Sequence, residues 1–394
     1  VHLGKSKNIE NSNIDEVHRG KRLKKKLFKI LKIKLVIIIF IAIGGYIFMQ
    51  QPQFGKQPTG ARLEKIKNLP NYRNGKFQNL EAVPQPKETS SFSTKINDIL
   101  LSRSKRSRPS AALPSVKTDL KSLKPEEDII VWFGHSSYFL QIDGKKILID
   151  PVLSESASPI KFYNKSYEGS NIYTVEDIPN IDYLLISHDH YDHLDYDTIL
   201  KLKSKVNRVI TGLGMGAHFE YWGYDKKLII EKDWNETVVL TEGFEVTLTP
   251  ARHRSGRGLK SNQTLWVSFV IKTPNKKIFY SGDSGYGTHF KEIGNNYGPF
   301  DLAIMECGQY SKYWKNSHMM PEQVVQASLD IRAGKLMPGH WSKFSLSLHD
   351  WDEPIIKVIE ESKRKNLQVL YPMIGEKVDV KDTISREAWW KKIK

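Results

Sequence analysis

His188-Asp189-His190-Tyr191-Asp192-His193 places three histidines and two aspartates within six residues, directly after the apolar run Leu184-Leu185-Ile186. Imidazole nitrogens and carboxylate oxygens at the end of a buried strand form a dense set of metal donors. In such a loop His188 and His190 can converge on one side, while Asp192 and His193, on the following turn, point at a second position. Two ions about 3.5–4 Å apart are the usual arrangement for hydrolysis. The chain has 12 histidines in 394 residues, so three in one short loop are a poor fit to chance.

Three single residues stand where the same chemistry would use them, each closing an apolar stretch. His253 follows Val246 to Leu248, Asp283 lies in Ser281-Gly282-Asp283-Ser284-Gly285 after Ile278-Phe279-Tyr280, and His340 follows Met337-Pro338-Gly339. Alone, a histidine is an ordinary structural residue and an Asp between glycines an ordinary turn. With the cluster they add nitrogen donors and a carboxylate able to bridge two ions, and the glycines beside Asp283 permit close approach.

Strands must carry these residues. Ile129 to Phe133, Tyr138 to Ile142 and Lys146 to Ile149 read as strands, the last two joined by a turn at Asp143-Gly144. Further apolar runs follow at Tyr183 to Ile186, Val209-Ile210, Val238 to Leu240, Val246 to Leu248, Leu265 to Ile271, Ile278 to Tyr280 and Leu302 to Met305. Helical patterns at Pro321 to Ile331 and Asp352 to Lys365 alternate with the later ones. Many strands with interspersed helices predict an α/β sandwich of layered sheets over residues 125–394.

The N-terminal third has a different texture. The chain carries a formal charge of +16, but residues 1–34 are net +8, residues 35–124 net +10 and residues 125–394 net −2. The near-neutral C-terminal portion is a poor phosphate-backbone binder, so no nucleic-acid partner is expected. Cys307 is the single cysteine, which excludes a disulfide framework within the chain. Residues 1–27 read as a basic cytoplasmic tail, irregular over 1–20. Leu35 to Met49 holds no charge, and a helix over 28–49 would span roughly 33 Å at about 1.5 Å per residue, enough for a bilayer. Lys29, Lys32 and Lys34 would reach back to headgroups. A cleaved signal would end in small residues, whereas Tyr46 to Pro52 is bulky. The expectation is a single-pass anchor with the lysine-rich side cytoplasmic and the remainder extracytoplasmic. Residues 50–124 read as a linker and arm, whose Arg103-Ser104-Lys105-Arg106-Ser107-Arg108 is a solvated run or a contact for anionic lipid.

The H-x-H-x-D-H motif with its spaced His, Asp and His resembles the metallo-β-lactamase superfamily. Gly134-His135-Ser136-Ser137, Ile149-Asp150-Pro151, Tyr221-Trp222-Gly223, Ser255-Gly256-Arg257, Ser281 to Tyr286, Gly298 to Leu302 and His340-Trp341 look more narrowly like the N-acylphosphatidylethanolamine-hydrolysing phospholipase D family. The resemblance covers about residues 52–355 and implies an αββα metallo-β-lactamase sandwich preceded by an N-terminal transmembrane helix. It implies two Zn2+, other divalent metals being possible. His188, His190 and His253 would hold one zinc and Asp192, His193 and His340 the second, with Asp283 bridging. His318, in Ser317-His318-Met319, matches a family histidine near the scissile phosphate. The chain departs from the mammalian members at Met305-Glu306-Cys307-Gly308, where theirs is more neutral.

The implied activity is a zinc-dependent phosphodiesterase of phospholipase D type, with hydroxide generated between the metals attacking phosphorus of a membrane phospholipid. His318 and Asp283 would be the catalytic residues. Asp195 and His135 are candidates to orient ligand histidines, and Tyr310, Tyr313, Trp314 and Trp341 could line an acyl channel or simply fill the core. A lactonase or other carbonyl hydrolase would use the same centre. A membrane-anchored metal-binding protein without catalysis fits less well, because structural zinc sites are usually closed and often rich in Cys.

Overall fold

The computed structural model describes residues 4–81, 103–241, 243–314, 316–381 and 387–393, residues 4–20 as backbone only. The chain divides into two compact units, Val1–Phe54 and Gly55–Lys394. In the first, helix α1 (Gly4–Met49) runs for 46 residues. The polar stretch expected to be irregular is therefore helical from Gly4, and residues 1–3 of the expected tail lie outside the described residues. No proline precedes Pro52, so nothing removes an amide from the helical ladder before that point. Within α1, Lys21–Met49 is long and apolar enough to cross a membrane, and its apolar window is not buried against protein.

The second unit begins inside the stretch expected as a linker. Helix α2 (Gly60–Lys67) and a two-stranded hairpin of β1 (Tyr72–Arg73) and β2 (Lys76–Phe77) bury Ile66 and Phe77 completely. Asn74 and Gly75, both at positive φ, make the tight turn. Arg62 fastens the segment by pairing with Glu220 at 2.6 Å and Glu231 at 2.7 Å. The arginine run is also used within the unit: Arg103 donates to Ser345 Oγ at 2.8 Å, and Arg106 pairs with Asp350 and Asp352, each at 2.9 Å. Residues 82–102 of the expected linker lie outside the described residues.

Two seven-stranded sheets follow. β3 (Ile129–Trp132), β4 (Tyr138–Ile142), β5 (Lys145–Ile149), β6 (Ile181–Ile186), β7 (Val206–Gly212) and β8 (Ile229–Lys232) build the first. β9 (Thr237–Thr241), β10 (Phe244–Thr249), β11 (Ser268–Lys272), β12 (Lys277–Tyr280), β13 (Leu302–Glu306), β14 (Lys335–Gly339) and β15 (Gln368–Val369) build the second, after which β16 (Lys377–Asp379) returns to pair with β3. The apolar run Leu265 to Ile271 yields a strand only from Ser268. Leu265 N instead donates to Leu213 O at 2.8 Å and Val267 N to Ser187 O at 3.0 Å, which draws this stretch toward the loops of the first sheet.

Strand periodicity of two sorts the core. Tyr138, Leu140, Tyr183 and Leu185 of the first sheet share one cluster with Val246, Leu248, Phe269 and Ile271 of the second. The alternate residues Phe139, Leu148 and Leu184 pack against Ile199 and Leu202 of α3 (Tyr196–Leu202) and Phe219 of α4 (Gly216–Tyr221). α5 (His289–Tyr297), α6 (Pro321–Asp330) and α7 (Glu353–Arg364) join the core cluster through Phe290, Val324, Val325, Ile355 and Val358. The result is the expected αββα sandwich.

Candidate metal centre

β3, β5 and β6 run in one direction in their sheet, as do β10, β12, β13 and β14 in theirs. The residues just past their C-terminal ends therefore collect along two neighbouring edges. Backbone bonds join these edges: His135 N donates to Trp341 O at 3.0 Å and His340 N to His135 O at 2.8 Å. His135 and His340 both adopt positive φ, 54° and 64°. Such conformations cost of order 1–3 kcal/mol each and persist where surrounding contacts fix them; Trp132 Nε1, donating to His135 O at 2.8 Å, is one such contact.

Two groups of donors result, each able to hold a metal ion. In the first, His190 Nδ1 lies 2.8 Å from His188 Nε2 and 3.2 Å from His253 Nε2, and Asp283 Oδ2 lies 3.8 and 3.7 Å from the same two Nε2 atoms. In the second, Asp192 Oδ2 lies 2.9 Å from His135 Nε2, 3.3 Å from His340 Nε2 and 3.6 Å from His193 Nε2. Asp283 faces this group too, with Oδ1 3.2 Å from His193 Nε2 and Oδ2 3.2 Å from His340 Nε2. His318 completes a third grouping with Asp283 and His340.

The donor set fits metal ions. Four ligands about 2.0–2.1 Å from a tetrahedral zinc stand roughly 3.3 Å apart, which matches these separations. His193 Nε2 and Asp283 Oδ1 are buried, face each other at 3.2 Å and make no well-formed hydrogen bond among the described residues, an arrangement that a cation between them would satisfy. Burial holds His188 and His253 well below the usual imidazole range, His190 down to about 4 and His135 to about 3. Neutral rings at these four keep the lone pair a metal requires; at His193 burial is outweighed by Asp283, Asp192 and Asp150, which hold it well above the usual imidazole range, so a metal there would displace a proton. Burial works against the charge of Asp192 and Asp283, but the facing histidines, His193 foremost, hold both well below the usual carboxylate range.

A surrounding shell turns the rings. His193 Nδ1 lies 2.8 Å from Asp150 Oδ2, and Asp150 also accepts from Ser187 N at 2.8 Å and Tyr280 Oη at 2.6 Å. His253 Nδ1 donates to Ser317 O at 2.9 Å, leaving Nε2 for the centre. The His253 backbone is held at both ends by Asn79, which donates to its carbonyl at 2.9 Å and accepts from its amide at 3.0 Å. Asp189 turns away from the centre and accepts from Thr264 Oγ1 at 2.9 Å and Gly256 N at 2.5 Å. The buried Arg257 donates to Asp189 O at 2.9 Å and Leu194 O at 2.6 Å, clamping both ends of the histidine loop.

The structure thus brings together His188, His190, Asp192, His193, His253, Asp283, His340 and His318. His135, expected only to support ligand rings, is itself in a donor group. Asp195, expected to do the same, touches no ring of the centre; its carboxylate accepts from Ser154 N at 3.0 Å and from the Thr198 hydroxyl. Trp341 is core, packed between Trp132 and Trp389 with ring centroids 5.5 Å from each, and Tyr310 donates to Glu353 at 2.7 Å. Two further acids take part, Asp150 after β5 and Glu306 closing β13, which the sequence pattern marks only as the ends of apolar runs. Asn79 has no such mark.

A seven-stranded pair of sheets with His and Asp donors at one shared edge defines a class of metal-dependent hydrolase folds. A family model described as the beta-lactamase superfamily domain matches residues 145–341, and the chain belongs to this metallo-β-lactamase superfamily of metal-dependent hydrolases. An uncharacterised protein of Mycobacterium tuberculosis is 36% identical over 332 residues, covering 82% of this chain and 87% of the relative. N-acyl-phosphatidylethanolamine-hydrolyzing phospholipase D 1 of Caenorhabditis elegans is 28% identical over 263 residues, 61% of this chain and 74% of that protein. The solved structure of a metallo hydrolase from Ignicoccus hospitalis superposes with a TM-score of 0.50 at 22% identity, covering 64% of this chain and 97% of that one, and shows the shared fold.

Proposed function

We propose that this protein is a dinuclear-zinc phosphodiesterase of phospholipase D type that acts on N-acylphosphatidylethanolamine-like glycerophospholipids at a membrane. The observation that carries the reading is Asp283, whose two oxygens face His188 and His253 of one donor group and His193 and His340 of the other. His188, His190 and His253 would hold one zinc, Asp192, His193 and His340 the second, with His135 beside it. Two such ions supply Lewis acidity, lowering the pKa of water at the site and drawing charge from a phosphoryl oxygen.

The chain's own residues supply positioning and hydrogen bonding. His318 stacks on His340, with ring centroids 5.1 Å and planes 11° apart, and its Nδ1 lies 3.4 Å from Glu306 Oε2. Burial drives Glu306 well above the usual carboxylate range, so it serves as a donor to His318 Nδ1. Its other oxygen accepts from Met319 N at 2.6 Å. That tautomer keeps the His318 proton on Nε2, where it can donate a hydrogen bond to the oxygen on which charge builds as the P–O bond breaks. Arg254 adjoins His253 and stands exposed, and its charge acts on His190, His253 and His318. An exposed guanidinium there favours a substrate carrying a negative phosphodiester over a neutral ester.

The lipid assignment is supported by the name of the worm relative and by the apolar Lys21–Met49 segment. The lysines in the first part of that segment favour a cytoplasmic N-terminus and an extracytoplasmic second unit. The test is a turnover panel of the purified protein with N-acylphosphatidylethanolamine, phosphatidylcholine and an acyl-homoserine lactone. The N-acylated phospholipid is expected to be cleaved fastest; faster lactone opening would replace this reading with a lactonase.

A further inference from the structure

Large apolar side chains exposed on the second unit mostly stand singly in the sequence: Leu80, Val116, Tyr221, Val239 and Leu259. Scattered examples need no explanation. Ile160, Phe162 and Tyr163 are different, being 36%, 81% and 59% exposed within four consecutive residues. They form the tip of a hairpin-like loop that is internally fixed. Ser156 bridges Lys165 in antiparallel fashion, Ala157 N donates to Asn164 O at 3.2 Å, Ser166 N donates to Glu155 O at 2.8 Å, and Tyr163 N donates to Ile160 O at 2.9 Å. Arg108 braces the base by donating to Lys165 O at 3.1 Å and Ser166 O at 3.2 Å. A rigid projection that holds Phe and Tyr in water has no folding reason to do so.

The loop rises beside the metal centre. It leaves β5 just after Asp150, and its base packs Val152 and Ala157 against Phe344, whose ring lies 5.3 Å from that of His135. Lys161 stands within the tip and Lys165 just beyond it. Lys161 is 87% exposed and pairs with Asp197 at 3.2 Å, and Glu155 is the one acidic residue within the loop.

We propose that the Ile160–Tyr163 tip is a membrane-docking element that sinks into the interfacial layer of a lipid bilayer and sets the metal-bearing edge against it. Tyr favours the headgroup level of a bilayer, Phe and Ile enter the boundary with the acyl chains, and lysines beside them extend to lipid phosphates. Three side chains are too few for a stable protein interface, which needs about 800 Å² from each partner. A bilayer accepts so small a tip, and this chain carries its own segment able to cross one. The docking surface stands whichever ester the centre cleaves.

The test uses the full chain reconstituted into vesicles of phosphatidylcholine with phosphatidylglycerol. Phe162→Cys and, separately, Tyr163→Cys carry an environment-sensitive fluorophore; the native Cys307 is fully buried and will not compete. Both labels are expected to shift to the blue and to be quenched several-fold by nitroxide lipids in the vesicle. A label at Val239→Cys, 71% exposed on β9 in the parent, gives the reference for water. Water-like emission from both tip labels would overturn the proposal. So would shielded labels that lipid-borne quencher leaves untouched, because these mark a protein partner. Failure of phosphodiester turnover would not alter either readout.

Discussion

Asp150 Oδ2 lies 2.8 Å from His193 Nδ1, with both side chains fully buried. The pair fixes the ring so that Nε2 faces Asp283 and Asp192. Asp150→Asn replaces an acceptor with a group able to present an N–H to the His193 N–H, and the ring loses its orientation. Metal affinity is expected to fall about 10–100-fold, measured by competition with a chromogenic chelator. Unchanged affinity would show that Asp150 serves the fold rather than the ligand.

His318 is placed to donate a hydrogen bond from Nε2 to the departing oxygen, with Glu306 as the donor that sets its tautomer. His318→Ala is expected to lower kcat about 10²–10³-fold while leaving metal content intact. Glu306→Gln preserves a donor to His318 Nδ1, so its kcat should stay within a few-fold of the parent, whereas Glu306→Ala should approach the loss at His318. Equal loss in both Glu306 variants would contradict a neutral Glu306.

Arg254→Gln removes a positive charge beside the centre without touching a donor. KM for an anionic phosphodiester is expected to rise about 10-fold, the scale of one charge-assisted hydrogen bond, with kcat little changed. KM for a neutral ester should stay constant. Steady-state kinetics on the two substrate types checks this, and a parallel rise for both would remove the charge-recognition role.

Lys343 is 1% exposed, and burial lowers its pKa from 10.5 to about 7. Its Nζ donates to Val152 O at 2.8 Å and Phe133 O at 3.2 Å, with no carboxylate paired to it among the described residues. Below pH 7 both folded and unfolded chains hold the proton, and folding bears the full cost of burying the charge. Between pH 7 and 10.5 the unfolded chain binds more protons than the folded one, so stability rises with pH in that window. Lys343→Met abolishes this contribution. The stability of the parent relative to the variant should increase by of order 2 kcal/mol from pH 7 to pH 9, read from urea midpoints; a constant difference would mean the lysine stays charged.

Much of the centre was legible because its residues are chemically scarce and follow apolar strands: the histidine loop after β6, His253 after β10, Asp283 after β12 and His340 after β14. His135 joins them through a backbone bridge to Trp341, a pairing between distant segments that local spacing does not encode. Glu306 and Asp150 are likewise defined by what faces them across the fold. Residues 55–81 look like a linker because they are polar and broken by Pro and Gly, yet they are held by partners far along the chain. Arg62 meets Glu220 and Glu231, Asn71 meets Asp233 and Asn79 meets His253. In α1, the polar composition of residues 4–20 hid a helix that no proline interrupts.

The most direct test of the dinuclear centre is metal stoichiometry by mass spectrometry on the intact protein and on Asp283→Ala. The parent should hold about two zinc-like ions per chain, and the variant should lose at least one of them together with its hydrolytic activity. One tightly held ion in the parent, unchanged by removing Asp283, would contradict the account.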